Sequence, residues 1–213
     1  MKQPKVLTPH SAYTYAQYLN MRWPMGEPFI LKSPKYIFLY AVYVLKQPWP
    51  QAEPIISKSP SWAYIYAAAL NRKFPNSLEF NFIHHPYYAL LYARDVLKAR
   101  FPIAEPNIIK KPSVALSYAT YVIKKRWIPC ENNILKHPNL AYQYAQDVLK
   151  KRWPKAEKII VKDPLLTTQY LLYVAQINIP KLSKSLIHCP DFYKQIKHLP
   201  SKAQISLQGF IEP

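Results

Sequence analysis

Glycine is nearly missing from this chain: two of 213 residues, against 22 prolines and 18 tyrosines. Scarce glycine predicts few tight or left-handed turns and excludes a glycine-rich phosphate loop. Cysteine is as scarce, and Cys130 and Cys189 show no paired spacing. That excludes a disulfide framework or a cysteine-built zinc site and favours a reducing compartment. Neither MKQPKVLTPHSAY nor any later stretch holds an apolar run long enough for a signal peptide or a membrane span. The expectation is a soluble cytoplasmic protein. Acidic residues are the third shortage, 11 against 29 Lys and Arg, for a net charge of +18. Up to Lys110 there are 13 basic and 5 acidic residues, and after it 16 and 6. The charge therefore belongs to the whole chain and not to a tail. Two readings stay open: attraction to an anionic partner, or like charge that keeps an apolar repeat protein from associating with itself.

What the chain does have is one phrase written repeatedly. Prolines at 9, 34, 60, 86, 112, 138, 164 and 190 are separated once by 25 residues and then by 26. Each opens a unit close to P-x-x-A-Y-x-Y-A-x-x-V-L-K-x-R-W-P-x-A-E-x-x-I-I-K. Counting the proline as one, apolar side chains recur at four, seven, eight, eleven and twelve. These fill an arc of roughly 140° on a helical wheel, the stripe of a helix facing a core. Pro suits the first helical position, and Thr8, Ser33, Ser59 and Asp163 precede it as candidate N-caps. A helix of about 12–14 residues, a second proline and a shorter apolar helix complete the unit. Neither helix buries its apolar face alone, but stacked copies do. The predicted fold is all-α: a right-handed α-solenoid of helix–turn–helix repeats with a period near 26. It forms a single elongated domain over 1–213, with repeats starting at about 8, 33, 59, 85, 111, 137 and 163 and a degenerate C-terminal cap over 189–213.

Tyr15, Tyr40, Tyr66, Tyr92, Tyr118, Tyr144 and Tyr170 all stand at position seven. On the apolar arc they read as a packed ladder whose hydroxyls find partners, and alternatively as stacking platforms for bases. Trp49, Phe74, Phe101, Trp127 and Trp153 read as wedges between the two helices of a pair. Glu27, Glu53, Glu79, Glu105, Glu131 and Glu157 recur once per unit. That spacing is no acid–base dyad, and pairing to Arg100, Arg126 and Arg152 accounts for them better.

No P-loop, nucleophile elbow, zincin or C-x-x-C pattern is present. The reading is of no enzyme, no catalytic residue, no metal site and no cofactor. Cys130 stands where other units have alanine and reads as a small core residue. The candidates for partner contact are Lys98, Lys124, Lys125, Arg126, Lys150, Lys151 and Arg152, aligned by the repeat into a stripe, with Lys32, Lys58, Lys110, Lys136 and Lys162 as a second series. Stripe charges ~9–10 Å apart would meet every second or third phosphate of a nucleic acid strand. The expected function is a non-enzymatic scaffold whose basic surface captures an anionic partner, whether nucleic acid, acidic protein or nucleotide. The alternatives are an inhibitor gripping a protein of the host, or a sponge for a phosphorylated or nucleotide small molecule.

The phrase AYxYAxxVxKxRWPxAE resembles uncharacterised repeat arrays of tailed bacteriophages and other large viruses, over about Thr8 to Asp163. The resemblance implies a viral context, with a host-takeover or anti-defence role and the host cytoplasm as location. It brings no catalytic residues.

Overall fold

The computed structural model describes residues 4–160 and 162–174. The expected cap over 189–213 lies outside them. Among the described residues every regular element is helical. The chain forms two compact units, Met1–Ile108 and Ile109–Pro213. The elements are α1 (Pro9–Leu19), α2 (Glu27–Ile30), α3 (Pro34–Tyr40), α4 (Glu53–Ile56), α5 (Pro60–Ala69), α6 (Asn76–Glu79), α7 (Pro86–Tyr92) and α8 (Glu105–Ile109), then α9 (Pro112–Tyr118), α10 (Ile128–Ile134), α11 (Pro138–Gln143), α12 (Pro154–Ile160) and α13 (Pro164–Tyr173). Within the first unit α1 lies against α3, α3 against α5 and α5 against α7; within the second, α9 lies against α11 and α11 against α13. Short helices fill the space between long ones: α2 touches α1 and α3, α4 touches α3 and α5, α10 touches α9 and α11, and α12 touches α11 and α13.

Proline starts the long helices, and it does so twice over. Its own fixed φ and missing N–H suit the first helical position. It also forces the residue before it out of the helical region, which is the conformation an N-cap needs. Ser33, Ser59, Lys111, His137 and Asp163 are all extended. Of the four expected caps only Thr8 and Asp163 use their side chains: Thr8 exchanges hydrogen bonds with Ser11, and Asp163 Oδ1 accepts from the Leu166 N–H at 3.1 Å. Ser33 and Ser59 make no such bond. The backbone conformation set by proline is enough, so the capping position tolerates serine, histidine or lysine.

The far ends differ in a way tied to spacing. In α1 and α5 the tyrosine of position seven and the following Trp23 or Phe74 are eight residues apart; in the units of Tyr40, Tyr92, Tyr118 and Tyr144 they are nine apart. The extra residue is absorbed by a π-helical last turn: Ala41–Leu45, Ala93–Leu97, Ala119–Ile123 and Tyr144–Leu149. Each helix then stops on a left-handed residue: Asn20 and Asn71 in the shorter form, and Lys46, Lys98, Lys124 and Lys150 in the longer. Scarce glycine had predicted few left-handed positions. The structure corrects this: asparagine tolerates the conformation, while lysine carries its steric cost.

The apolar arc packs as its periodicity predicts. Ala16, Ala41, Ala67, Ala93, Ala119 and Ala145 are fully buried, and so are Tyr40, Tyr66, Tyr92, Tyr118, Tyr144 and Tyr170. Such burial takes these six rings away from any base, so the stacking-platform reading fails for them. Tyr15 is only half-buried. The rings of Tyr40, Tyr66, Tyr92, Tyr118 and Tyr144 also meet the aromatic residue at the end of their own long helix, with centroids 5.1 Å apart for Tyr40–Trp49 and 5.0 Å for Tyr144–Trp153.

The hydroxyls connect one repeat to the preceding one. Tyr40 Oη accepts from the Trp23 N–H at 2.8 Å and donates to Glu27 Oε1 at 3.1 Å. The same pair of bonds joins Tyr66 to Trp49 and Glu53, Tyr92 to Phe74 and Glu79, Tyr144 to Trp127 and Glu131, and Tyr170 to Trp153 and Glu157. The glutamates are buried and most are clasped by a guanidinium through two parallel bonds: Arg22 on Glu27, Arg126 on Glu131, Arg152 on Glu157, and Arg100 on Glu105. Each link leaves an unmet group that the next one satisfies.

Removing one hydroxyl tests the link. Tyr144→Phe leaves the Trp127 N–H without its acceptor and takes one donor from Glu131, which keeps Arg126, a loss of about 1–3 kcal/mol by urea unfolding. Tyr15→Phe, at a half-buried hydroxyl bonded to nothing among the described residues, is expected to change stability by less than about 0.5 kcal/mol.

Alkaline pH tests all the links together. Burial pushes the Tyr40 and Tyr66 hydroxyls up to about 12 and raises Tyr92, Tyr144 and Tyr170 as well, partly opposed by the backbone N–H each accepts. The unfolded value is about 10. These groups therefore stabilise the fold fully below about pH 10, and that stability is lost as pH rises towards 12. Tyrosinate absorbance from the buried tyrosines should rise together with loss of helical circular dichroism, and not before it.

Candidate functional site: lysines at the helix ends

The internal network consumes nearly all the negative charge. Of the acids in the described residues, the six repeated glutamates are buried. Asp95 is held by Arg94 at 2.7 Å and by the Tyr64 hydroxyl at 2.6 Å, and Asp163 caps α13. Asp147 is left exposed. Glu27, Glu53, Asp95, Glu105, Glu131 and Glu157 are each ion-paired to an arginine.

The lysines stay outside that network. Lys98, Lys124, Lys125, Lys150 and Lys151 are exposed, and none of their ammonium groups forms a hydrogen bond or ion pair among the described residues. Of the two arginines grouped with them in the sequence, Arg126 holds Glu131 at 2.7 Å and Arg152 holds Glu157 at 2.9 Å. Their charge is largely cancelled where it stands, so they serve the repeat junction first. In the second unit the π turns Ala119–Ile123 and Tyr144–Leu149 lie side by side. The pairs Lys124–Lys125 and Lys150–Lys151 that follow them thus share one edge. In the first unit Lys46 and Lys98 end α3 and α7 in the same conformation. The second series, Lys32, Lys58, Lys110, Lys136 and Lys162, is exposed too, with Lys136 donating to Asn133 Oδ1 at 3.1 Å and Lys32 over the Phe29 ring.

Backbone geometry gives these lysines a second feature. Lys46, Lys98, Lys124 and Lys150 have φ between 51° and 56°, where a side chain costs roughly 1–2 kcal/mol. Glycine or asparagine would relieve that cost, and asparagine serves in the two shorter units at Asn20 and Asn71. A cation also complements the helix dipole at this end, by about 0.3–1 kcal/mol. That gain does not exceed the cost, so the fold alone gives little reason to prefer lysine here.

Other candidate chemistry recedes. Cys130 is fully buried, its thiol donates to the Trp127 carbonyl at 3.0 Å, and burial pushes it up to about 12. It is a core residue and no nucleophile at neutral pH. Among the described residues no cluster of His, Cys, Asp and Glu could hold a metal, and no helix is long and apolar enough to cross a membrane. What the sequence reading missed is the left-handed lysine, and the signal was there: the eight-against-nine spacing from tyrosine to aromatic separates units ending on Asn from those ending on Lys.

Replacing Lys124 or Lys150 by glycine is expected to stabilise the protein by about 0.5–1 kcal/mol despite glycine's greater freedom when unfolded, measured by urea titration. A neutral or destabilising result would show that lysine is there for the fold. Comparison with protein-family models, with curated proteins and with solved structures finds no match.

Proposed function

We propose that the repeats continue as a right-handed α-solenoid, and that it is a non-enzymatic scaffold whose lysine edge captures an extended anionic partner. One observation carries this reading: acids are spent on internal bonds while lysines stand unpaired and exposed at equivalent helix ends, four of them in a conformation that other residues adopt at lower cost. Repetition of the charge favours a partner that repeats its own, such as a nucleic acid backbone, over a single phosphorylated ligand. The contact residues are Lys98, Lys124, Lys125, Lys150 and Lys151, with Arg126 and Arg152 behind them. Likeness of the repeat phrase to viral arrays supports a setting in host takeover or evasion of host defence.

The test is binding of labelled single-stranded and duplex DNA, with polyglutamate in parallel, across a series of salt concentrations. Log affinity should fall linearly with log salt. Changing Lys124, Lys125, Lys150 and Lys151 together to Glu should flatten the slope by about 0.7–0.9 per lost phosphate contact. Equal binding of polyglutamate identifies an acidic protein as the partner class. Salt-independent binding, or a slope unmoved by the four changes, overturns the proposal.

A further inference from the structure

The repeated glutamate has an irregular member. The repeat opened by Pro34 reads QPWP where those opened by Pro86, Pro112 and Pro138 carry K-x-R before the aromatic, so Glu53 has no arginine of its own. Arg72 from the next unit supplies it, with Nε 2.8 Å from Oε1 and Nη2 3.3 Å from Oε2. That leaves Glu79 in Arg72's own unit. Lys73 stands directly before Phe74, where the arginine belongs, yet it forms no ion pair with Glu79. One more residue stands between aromatic and glutamate here, five steps from Phe74 to Glu79 against four from Trp127 to Glu131, and Lys73 lines the same cavity as Glu79.

Glu79 is 6% exposed and its Oε1 accepts from the Tyr92 hydroxyl at 3.0 Å. Its second oxygen has no hydrogen-bond partner among the described residues. It lines a cavity of about 330 Å³, at the small end of ligand sites. Phe80, Leu97, Phe101 and Ile103 form apolar walls, with Arg100 on the rim already committed to Glu105. At Glu27, Glu53, Glu105, Glu131 and Glu157 the same carboxylate is filled by a guanidinium bonded through Nε and Nη2.

We propose that the cavity at Glu79 is a binding site for a guanidinium group on an aliphatic stem, either an arginine side chain of a partner polypeptide or a free arginine-like small molecule. The guanidinium takes the place left by Arg72, forking onto Glu79, while the stem lies along Phe80 and Phe101. Lysine is a poor substitute because one ammonium cannot satisfy both carboxylate oxygens in a plane. This site takes a cation and is independent of the lysine edge, so either proposal survives failure of the other.

The test is calorimetric titration of the full chain with N-acetyl-L-arginine methylamide, alongside free L-arginine and the matching blocked lysine and citrulline. Saturable binding of the blocked arginine, with blocked lysine and citrulline weaker by about tenfold or more, supports the site. Stronger binding of blocked than free arginine points to a polypeptide source; the reverse points to a small molecule. Glu79→Gln should weaken binding at least about tenfold while keeping an acceptor for Tyr92. Lys73→Arg, which supplies the missing guanidinium from within, should raise the melting temperature and abolish binding. No saturable binding, equal binding of the lysine and citrulline analogues, or binding unchanged in both variants overturns the proposal.

Discussion

A backbone N–H that emerges just past a helix end, at the aromatic before the second proline, is the demand around which the repeat is built. The helix has already ended on the left-handed residue three positions earlier, so that N–H has no partner in its own unit. It is buried, and left unpaired it would cost about 1–3 kcal/mol. The tyrosine of the next unit reaches it with a hydroxyl oxygen, but the hydroxyl's own proton then needs an acceptor. The buried glutamate provides one, and a buried carboxylate in turn needs a cation with several donors. Arginine fits that need where lysine does not. Four residue types are thus tied by successive obligations, and the tie runs between units. That is why the phrase is copied so closely: a change at one place leaves an unmet group in the neighbouring repeat.

How legible this was depends on the range over which each feature acts. The period, the helix start at proline and the tyrosine and alanine faces are local or periodic, and they stand in the sequence as spacing. The Glu–Arg bond was readable for Arg126 and Arg152, five residues before their glutamates, because the two fall together in each copy. Arg72 was not readable, since it reaches back nineteen residues to Glu53 across a unit boundary, and only three-dimensional proximity reveals such a loan. The left-handed positions were misjudged for a different reason. Absence of glycine was taken as absence of the conformation, when asparagine and lysine can be forced into it by packing on both sides.

The two charge types end up separated by chemistry and not by accident of sequence. A planar guanidinium matches a carboxylate with two parallel bonds and loses little hydration when half-buried. The arginines are accordingly drawn inward to the glutamates, taking the acids with them. Ammonium groups are strongly hydrated and stay outside. Because the interior removes equal numbers of both signs at each complete junction, the surface keeps the excess, and that excess is lysine. Among the described residues the exposed charge is thus carried mostly by lysine.

Variation between units follows from the same constraint. The aromatic N–H must arrive where the next tyrosine can meet it, whichever number of residues leads there. With eight residues the helix ends as an ordinary α-helix on asparagine; with nine, a π turn absorbs the surplus and the helix ends on lysine. Arrival is conserved while the path is not. In the repeat opened by Pro60 the path is short before the aromatic and long after it, so Phe74 still meets Tyr92, while Arg72 bonds Glu53 and not the Glu79 carboxylate. The fold tolerates that loss at Glu79 because the tyrosine link is intact. An additional residue before the aromatic is therefore borne by the π turn, and one after it at the glutamate–arginine end of the chain of bonds, and neither at the backbone N–H that the neighbouring repeat requires.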